Sequence, residues 1–221
     1  MSWLKTKYFW NNSQNVNYFS QKPADPRIVK RLEELMSDDR PNYKLSALDL
    51  GCGGGRHTEM LLNMGFETSV LDLNPQMLQA TVKRVGKKNL HSVKRGSIVK
   101  LPFEDKSFDI VVTTGVLHQA KNFHEYQVAI SELSRILKPG GIVCLNIFTS
   151  ALLDETYTRL SDAFAYQTKE GLDMTLLSKT TFYELMEWYG LALEYELSED
   201  SVEENTGKRS VLRCNFVKVT K

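Results

Sequence analysis

The sequence predicts a doubly wound α/β fold, a mostly parallel sheet with helices on both faces. Short β-branched apolar runs alternate with amphipathic stretches of helical spacing, the pattern of strands buried on both sides and joined by helical crossovers. A glycine-dense turn, LDLGCGGGRH at residues 48–57, follows the first of these runs. The last third of the chain drops the alternation and ends in two runs of alternating apolar and polar residues, as an antiparallel pair of strands would.

Residues 1–26 are polar but carry the aromatics Trp3, Tyr8, Phe9, Trp10, Tyr18 and Phe19. Asp25 and Pro26 make a helix start for IVKRLEELM, because proline has no N–H to lose in the first turn. SALDL then reads as a buried strand, RHTEMLLNM as a helix, TSVLDL as a strand and PQMLQATVKRV as a helix. A short strand follows near LHSVKRG, then the strand FDIVVTT, the helix FHEYQVAISELSRIL and the strand GIVCLNIF. Residues 151–177 carry helical spacing. Ser178 is placed to cap a helix through TTFYELMEWY that Gly190 ends. LALEYEL and SVLRCNFVKV are the antiparallel pair, separated by a long acidic loop.

At 221 residues, with no internal repeat or low-complexity linker, one elaborated domain is expected. Its parts are a cap and first helix (1–40), a core (45–148), an insertion (151–177), and a last helix with the strand pair (178–221). A formal net charge of +1 supplies no global field toward nucleic acid or membrane. Lys83 to Lys100 holds seven basic residues and no acidic one, but the acidic 194–204 stretch balances it, and it reads as a solvated helix end and strand edge. No apolar run approaches a membrane span, and MSWLKTKYFWNN lacks the apolar middle of a signal peptide, so a cytoplasmic protein is expected. Cys52, Cys144 and Cys214 are too widely spaced for a zinc site and read as reduced core residues; no metal is expected.

In an open α/β sheet, ligands sit beyond the carboxyl ends of the strands, which is where the 48–57 turn lies. Glycines there let backbone N–H groups approach a polar ligand. A dinucleotide site wants a third small residue at the position Arg56 occupies, and arginine does not pack under a pyrophosphate. The spacing present is Asp49-x-Gly51-x-Gly53-x-Gly55.

Four blocks between residues 45 and 148 extend this: ALDLGCGGG, SVLDLNPQML, LPFEDKSFDIVVTTGVLHQ and LSRILKPGG. In this order and spacing the chain resembles the class I S-adenosylmethionine-dependent methyltransferases, in the subgroup with the LPF…SFD block, many of whose members methylate small molecules. The resemblance implies a Rossmann-like seven-stranded sheet with its last strand antiparallel, and S-adenosylmethionine as cofactor. It implies that Gly51, Cys52, Gly53 and Gly55 present backbone to the methionine end, with Asp49 helping to position its ammonium. Asp72 would accept the two ribose hydroxyls, since an ionised carboxylate offers two acceptor oxygens. Leu73 and Met77 would line the adenine, and Thr114 would join the cofactor shell. Where relatives commonly carry Asp after the glycine matching Gly96, this chain has Ser97, a neutral acceptor whose use costs roughly 1 kcal/mol. Ile98 would offer its N–H to a ring nitrogen.

On the acceptor side, His118 is the candidate catalytic group, a neutral imidazole able to take a proton from a hydroxyl or amine, against the plainer reading of a loop-packing histidine. His57, just after the glycine loop, reads as structural. The N-terminal aromatics are expected to fold over the cofactor as a lid, with Tyr18 and Phe19 contributing from one side and Tyr157 or Phe164 from the other, around an apolar acceptor pocket. The expected reaction is methyl transfer to a small-molecule acceptor by a monomer or homodimer. Three alternatives remain: a tRNA-modifying methyltransferase, a catalytically silent subunit that keeps the fold to bind a partner, and an NAD-dependent oxidoreductase, which Arg56 argues against.

Overall fold

A computed structural model describes residues 9–10, 12–37, 44–204 and 207–219. Trp3 and Tyr8 lie outside the described residues. The chain runs through α1 (Ser13–Gln21), α2 (Pro26–Ser37), β1 (Ser46–Leu50), α3 (Arg56–Asn63), β2 (Glu67–Asp72), α4 (Pro75–Val85), β3 (Ser92–Arg95) and β4 (Phe108–Thr114). Then follow α5 (Phe123–Ile136), β5 (Leu137–Thr149), three short strands β6 (Tyr157–Arg159), β7 (Ala165–Thr168) and β8 (Asp173–Thr175), α6 (Lys179–Trp188), β9 (Leu191–Glu204) and β10 (Gly207–Lys218).

The main sheet has seven strands in the order β3-β2-β1-β4-β5-β10-β9. The first five pair in parallel, and β10 is antiparallel to both of its neighbours. The strand order reverses between β1 and β4, where a doubly wound sheet opens its ligand crevice.

Strand periodicity separates two cores. Leu48 and Leu50 of β1 with Val111 of β4 face α5 and α6, where Tyr126, Ile130, Leu133, Phe182 and Met186 close the layer. Ala47, Ile110, Val112 and Cys144 point the other way, against Ile28 and Leu32 of α2 and Leu61 of α3. A one-residue alternation thus buries each strand twice, which is why the strands read as apolar runs. Cys52, Cys144 and Cys214 are all buried free thiols. No described helix is long and apolar enough to cross a membrane.

Two expectations need correction. Residues 151–177 are not helical: β6, β7 and β8 form an antiparallel sheet of their own. Asx turns at Asp154 and Asp162 and a positive-φ turn at Gly171 (φ 83°) interrupt the segment every few residues, so no helix can propagate. The supposed acidic loop is strand, since β9 continues to Glu204 in register with β10. Its charges are matched by cations and hydroxyls: Arg213 meets Asp200 at 3.1 Å, and Glu199 accepts from Thr149 at 2.7 Å. Paired charges lie flat on an edge strand and blunt it.

Phe182 is fully buried, edge-on to Tyr126 and to Phe216, and so joins α6, α5 and β10. Phe182→Ala should cost about 3–5 kcal/mol, read as a lower denaturant midpoint at unchanged m-value. A loss below about 1 kcal/mol would mean that this side of the sheet collapses around the cavity.

Candidate active site

The site is built on the turn after β1. The N–H groups of Gly51 and Cys52 both donate to the Leu71 carbonyl, at 2.7 and 3.1 Å. Thr81 of α4 donates its hydroxyl to the Gly53 carbonyl at 2.7 Å. Gly51 has φ 73°, and a Cβ there would stand 2.3 Å from the Val116 side chain. That position requires glycine on both counts.

Asp72, the last residue of β2, is oriented from two sides. Oδ2 accepts the Gly53 N–H at 2.9 Å, and Oδ1 accepts the Asn74 N–H at 2.8 Å. Asn74 caps α4 through its side chain, so the carboxylate is fixed between a helix start and the glycine turn. Burial pushes its carboxyl above the usual value, and the backbone donors oppose that shift. Each oxygen still has a lone pair for a ligand hydroxyl.

A cavity of about 1380 Å³ opens over these groups, larger than a single small-molecule site needs. Gly51, Cys52, Gly53, Asp72, Leu73, Met77, Ser97, Ile98 and Thr114, all expected at the cofactor, line it. Leu73 is 55% exposed, an uncovered apolar surface beside an oriented carboxylate. A purine nucleoside fits this set: acceptors for a diol, flanking Leu and Met for a flat ring, and a close-approach backbone beyond them.

Two expected residues do not line the cavity. Asp49 is buried beneath the turn, where Thr58 donates to its Oδ2 at 2.6 Å. Burial pushes its carboxyl up to about 6, against the hydrogen bond from Thr58 and nearby Arg56. Gly55 is the N-cap of α3 at φ 82°, pressed on Thr81. Both shape the turn from behind.

On the opposite wall, His118 and Phe19 line the cavity, whereas Tyr18, Tyr157 and Phe164 do not. Tyr18 is turned out beside Lys22, Tyr157 lies under the Arg209 guanidinium, and Phe164 packs on Phe123 at the main core. The aromatics at the wall are Phe9, Trp10, Phe19 and Phe148, joined by Leu172 and Met174 from the small sheet. Phe9 packs against the Leu172–Met174–Leu176 cluster, so the N-terminal segment and the 151–177 insertion meet. Phe148 escaped sequence reasoning because it ends a strand that reads as core, and Met174 because the helical spacing of 151–177 drew attention to its aromatics instead. Helical spacing likewise pointed to the wrong side chains of 151–177.

His118 stacks on Phe148 at 4.1 Å, and its Nδ1 accepts the Phe148 N–H at 3.1 Å. The ring hydrogen is therefore on Nε2. Burial, helped by the Arg209 cation, pushes the imidazole down to about 3. Its one acceptor nitrogen is already used, which removes the general-base reading: His118 can donate a hydrogen bond but has no site for a proton. His57 is likewise pushed down to about 3, by burial and by Arg56 and Arg84. Arg56, which displaced a dinucleotide from consideration, opens α3 and donates to the Pro23 carbonyl at 3.3 Å and to Thr114 Oγ1 at 3.4 Å.

Residues 48–145 match the model of a family described as a methyltransferase domain. Over 145 residues the chain is 39% identical to the demethylmenaquinone methyltransferase of Geobacillus stearothermophilus, covering 63% of this chain and 61% of that one. Over 117 residues it is 33% identical to the enzyme of that name from Staphylococcus aureus, covering 51% and 47%. The chain thus matches about half to three fifths of the length of these relatives. Among solved structures, a Burkholderia thailandensis 1,6-didemethyltoxoflavin-N1-methyltransferase with bound 1,6-didemethyltoxoflavin and S-adenosylhomocysteine superposes with TM-score 0.69 at 17% identity, covering 98% of this chain and 88% of that one. A Methanosarcina mazei S-adenosylmethionine-dependent methyltransferase gives 0.66 at 20%, covering 82% and 95%. Fold and motif blocks define a Rossmann-like methyltransferase core. Residues 48–145 thus carry a methyltransferase domain, on the Rossmann-like fold that these solved methyltransferases share.

Two outcomes follow from the buried ionisable groups. His57 and His118 stay neutral when folded but take a proton near 6.5 when unfolded. Their stabilisation is complete above pH 6.5 and drains away as pH falls toward 3, together on the order of several kcal/mol. Asp49 has the opposite sign: its folded value of about 6 exceeds the unfolded 3.8, so it favours the folded state as pH falls through that window. Melting temperature against pH should therefore lose part of its acid limb in His118→Gln and steepen below pH 6 in Asp49→Asn. Unchanged curves would contradict these assignments. Separately, the pH–rate profile should contain no ionisation that His118→Gln removes.

Proposed function

We propose that this chain transfers the methyl group of S-adenosylmethionine to a small, largely apolar, ring-containing acceptor. The observation that carries the reading is that one cavity joins the cofactor residues to the aromatic wall. Its volume leaves room for a second molecule beside the cofactor. The kinship with demethylmenaquinone methyltransferases, whose named substrate is a quinone, supports an apolar acceptor.

The bound cofactor supplies an electrophilic methyl group on a sulfonium. Asp72 accepts from the ribose hydroxyls, while Leu73 and Met77 flank the adenine. Ser97 and Ile98 meet the edge of the adenine, and the backbone of Gly51 to Gly53 meets the amino-acid end with Thr114. Asp49 acts behind the turn, through Thr58. Phe9, Trp10, Phe19 and Phe148 exclude water from the acceptor side and align its ring, a kind of positioning that can supply roughly 7–11 kcal/mol of barrier lowering. Nε2 of His118 donates a hydrogen bond to a polar atom of the acceptor and takes no proton from it.

Calorimetry with S-adenosylhomocysteine and transfer from labelled S-adenosylmethionine to a panel of quinols, phenols and nitrogen heterocycles tests this. Micromolar binding with transfer to one class is expected. Absence of binding would instead favour a silent subunit, and transfer only to tRNA in a salt-sensitive complex would favour the modification of RNA. Asp72→Ala should weaken S-adenosylhomocysteine by about 2–4 kcal/mol, since two charge-assisted bonds vanish. An unchanged dissociation constant would remove Asp72 from the site.

A further inference from the structure

Four side chains reach from the cofactor-binding half to the backbone of residues 10–25. The Asn74 amide donates to the Trp10 carbonyl, Arg84 to that of Ser20 at 3.0 Å, and Arg56 to that of Pro23 at 3.3 Å. The Asp25 N–H donates to Nε2 of His57 at 3.1 Å. Helix α1 also rests on the glycine turn itself. A Cβ on Gly54 would lie 2.3 Å from both Cα and Oγ of Ser20. Gly54 is not among the positive-φ glycines, so its backbone conformation would accept alanine. It is glycine because Ser20 lies against it.

The tautomer of His57 ties this segment to the cavity. Nε2 is the accepting nitrogen, so the ring hydrogen is on Nδ1, which lies 3.4 Å from Thr114 Oγ1. Arg56 Nη2 donates to the same oxygen at 3.4 Å. A hydroxyl oxygen that accepts from two N–H groups turns its own hydrogen elsewhere, and Thr114 lines the cavity.

We infer that His57 and Gly54 are positioning residues that couple the seating of α1 to the amino-acid end of the cofactor, His57 by holding both the Asp25 N–H and the Thr114 hydroxyl and Gly54 by letting Ser20 rest on the turn. The hydroxyl hydrogen of Thr114 is then offered to an accepting oxygen such as the cofactor carboxylate. Occupancy of that end tightens a network whose far side is the segment carrying Trp10 and Phe19. The inference rests on the cofactor reading above.

Hydrogen exchange of residues 9–25 with and without saturating S-adenosylhomocysteine, together with stopped-flow dissociation of that ligand, tests the coupling. In the wild type the ligand should slow exchange across the segment. Gly54→Ala should speed exchange in free and bound protein and release the ligand about tenfold faster, with the melting temperature nearly unchanged. Thr114→Val keeps the shape and removes the hydroxyl; free-state exchange should stay as in the wild type while the ligand-dependent protection disappears. His57→Leu should lose both, and His57→Gln, which keeps an acceptor near the Nε2 position, should recover the free-state protection. If either Gly54→Ala or Thr114→Val retains wild-type dissociation and protection, the coupling is wrong, while binding of the ligand by the wild type keeps Asp72 and the glycine turn in the cofactor reading. No binding by the wild type would overturn both.

Discussion

The carbonyl of Leu71 accepts two N–H groups from the turn after β1, and most of the site depends on that pair of bonds. They bind the carboxyl end of β1 to that of β2. The turn is thereby held over the carboxyl ends of the two strands, and Gly53 is delivered to the Asp72 carboxylate one strand away. The carboxylate is held by backbone rather than by a cation, so it is oriented without being neutralised. A ligand that brings hydroxyl donors finds two oxygens already aimed and partly desolvated, and loses little freedom in the protein on binding.

Around that anchor the chain spends its irregular parts on one face. The segment before β1, the turns after β1, β2 and β4, and the small sheet after β5 all gather at the carboxyl ends of the strands. Phe9 touches the small sheet while α1 presses on the glycine turn, so the two insertions and the turn form one wall. In the parallel core beneath, two apolar layers hold the strands in register, and its buried polar groups are mostly hydroxyls, with Asp49 the one buried carboxylate of β1. This division lets the irregular segments vary while the sheet that carries them stays the same.

Long periodic elements were legible in the sequence because burial on both faces writes itself as uninterrupted apolar runs. SALDL and FDIVVTT are strands to the residue. The small sheet was illegible for the converse reason. Tyr157–Arg159 and Asp173–Thr175 are three residues each, too short to show an alternation, and their pairing is set by turns. The acidic half of β9 hid behind low β-propensity that its ion pairs and its edge position override. At the site, the close-approach glycines Gly51 and Gly53 stand out in the sequence by their density, and Asp72 through the motif block that carries the resemblance. Residues fixed by a partner far along the chain do not. Nothing near His118 in sequence announces that Phe148 consumes its Nδ1, and nothing near Gly54 announces Ser20.

The insertion of β10 between β5 and β9 also has a kinetic side. β5 waits, with one edge unpaired, until a strand more than sixty residues later has been synthesised, for Ile142 pairs with Val217. During translation the parallel half of the sheet can assemble while that edge, with Cys144 and Ile147 beside it, is still open. An unpaired apolar edge is the ordinary starting point of strand exchange between chains. The hairpin that closes it is strongly local, β9 and β10 pairing from Glu204–Gly207 down to Leu191–Lys218, so it can form as a unit and dock once. The long-range pairing of β10 with β5 can in this way be made by docking a ribbon whose own pairing is local.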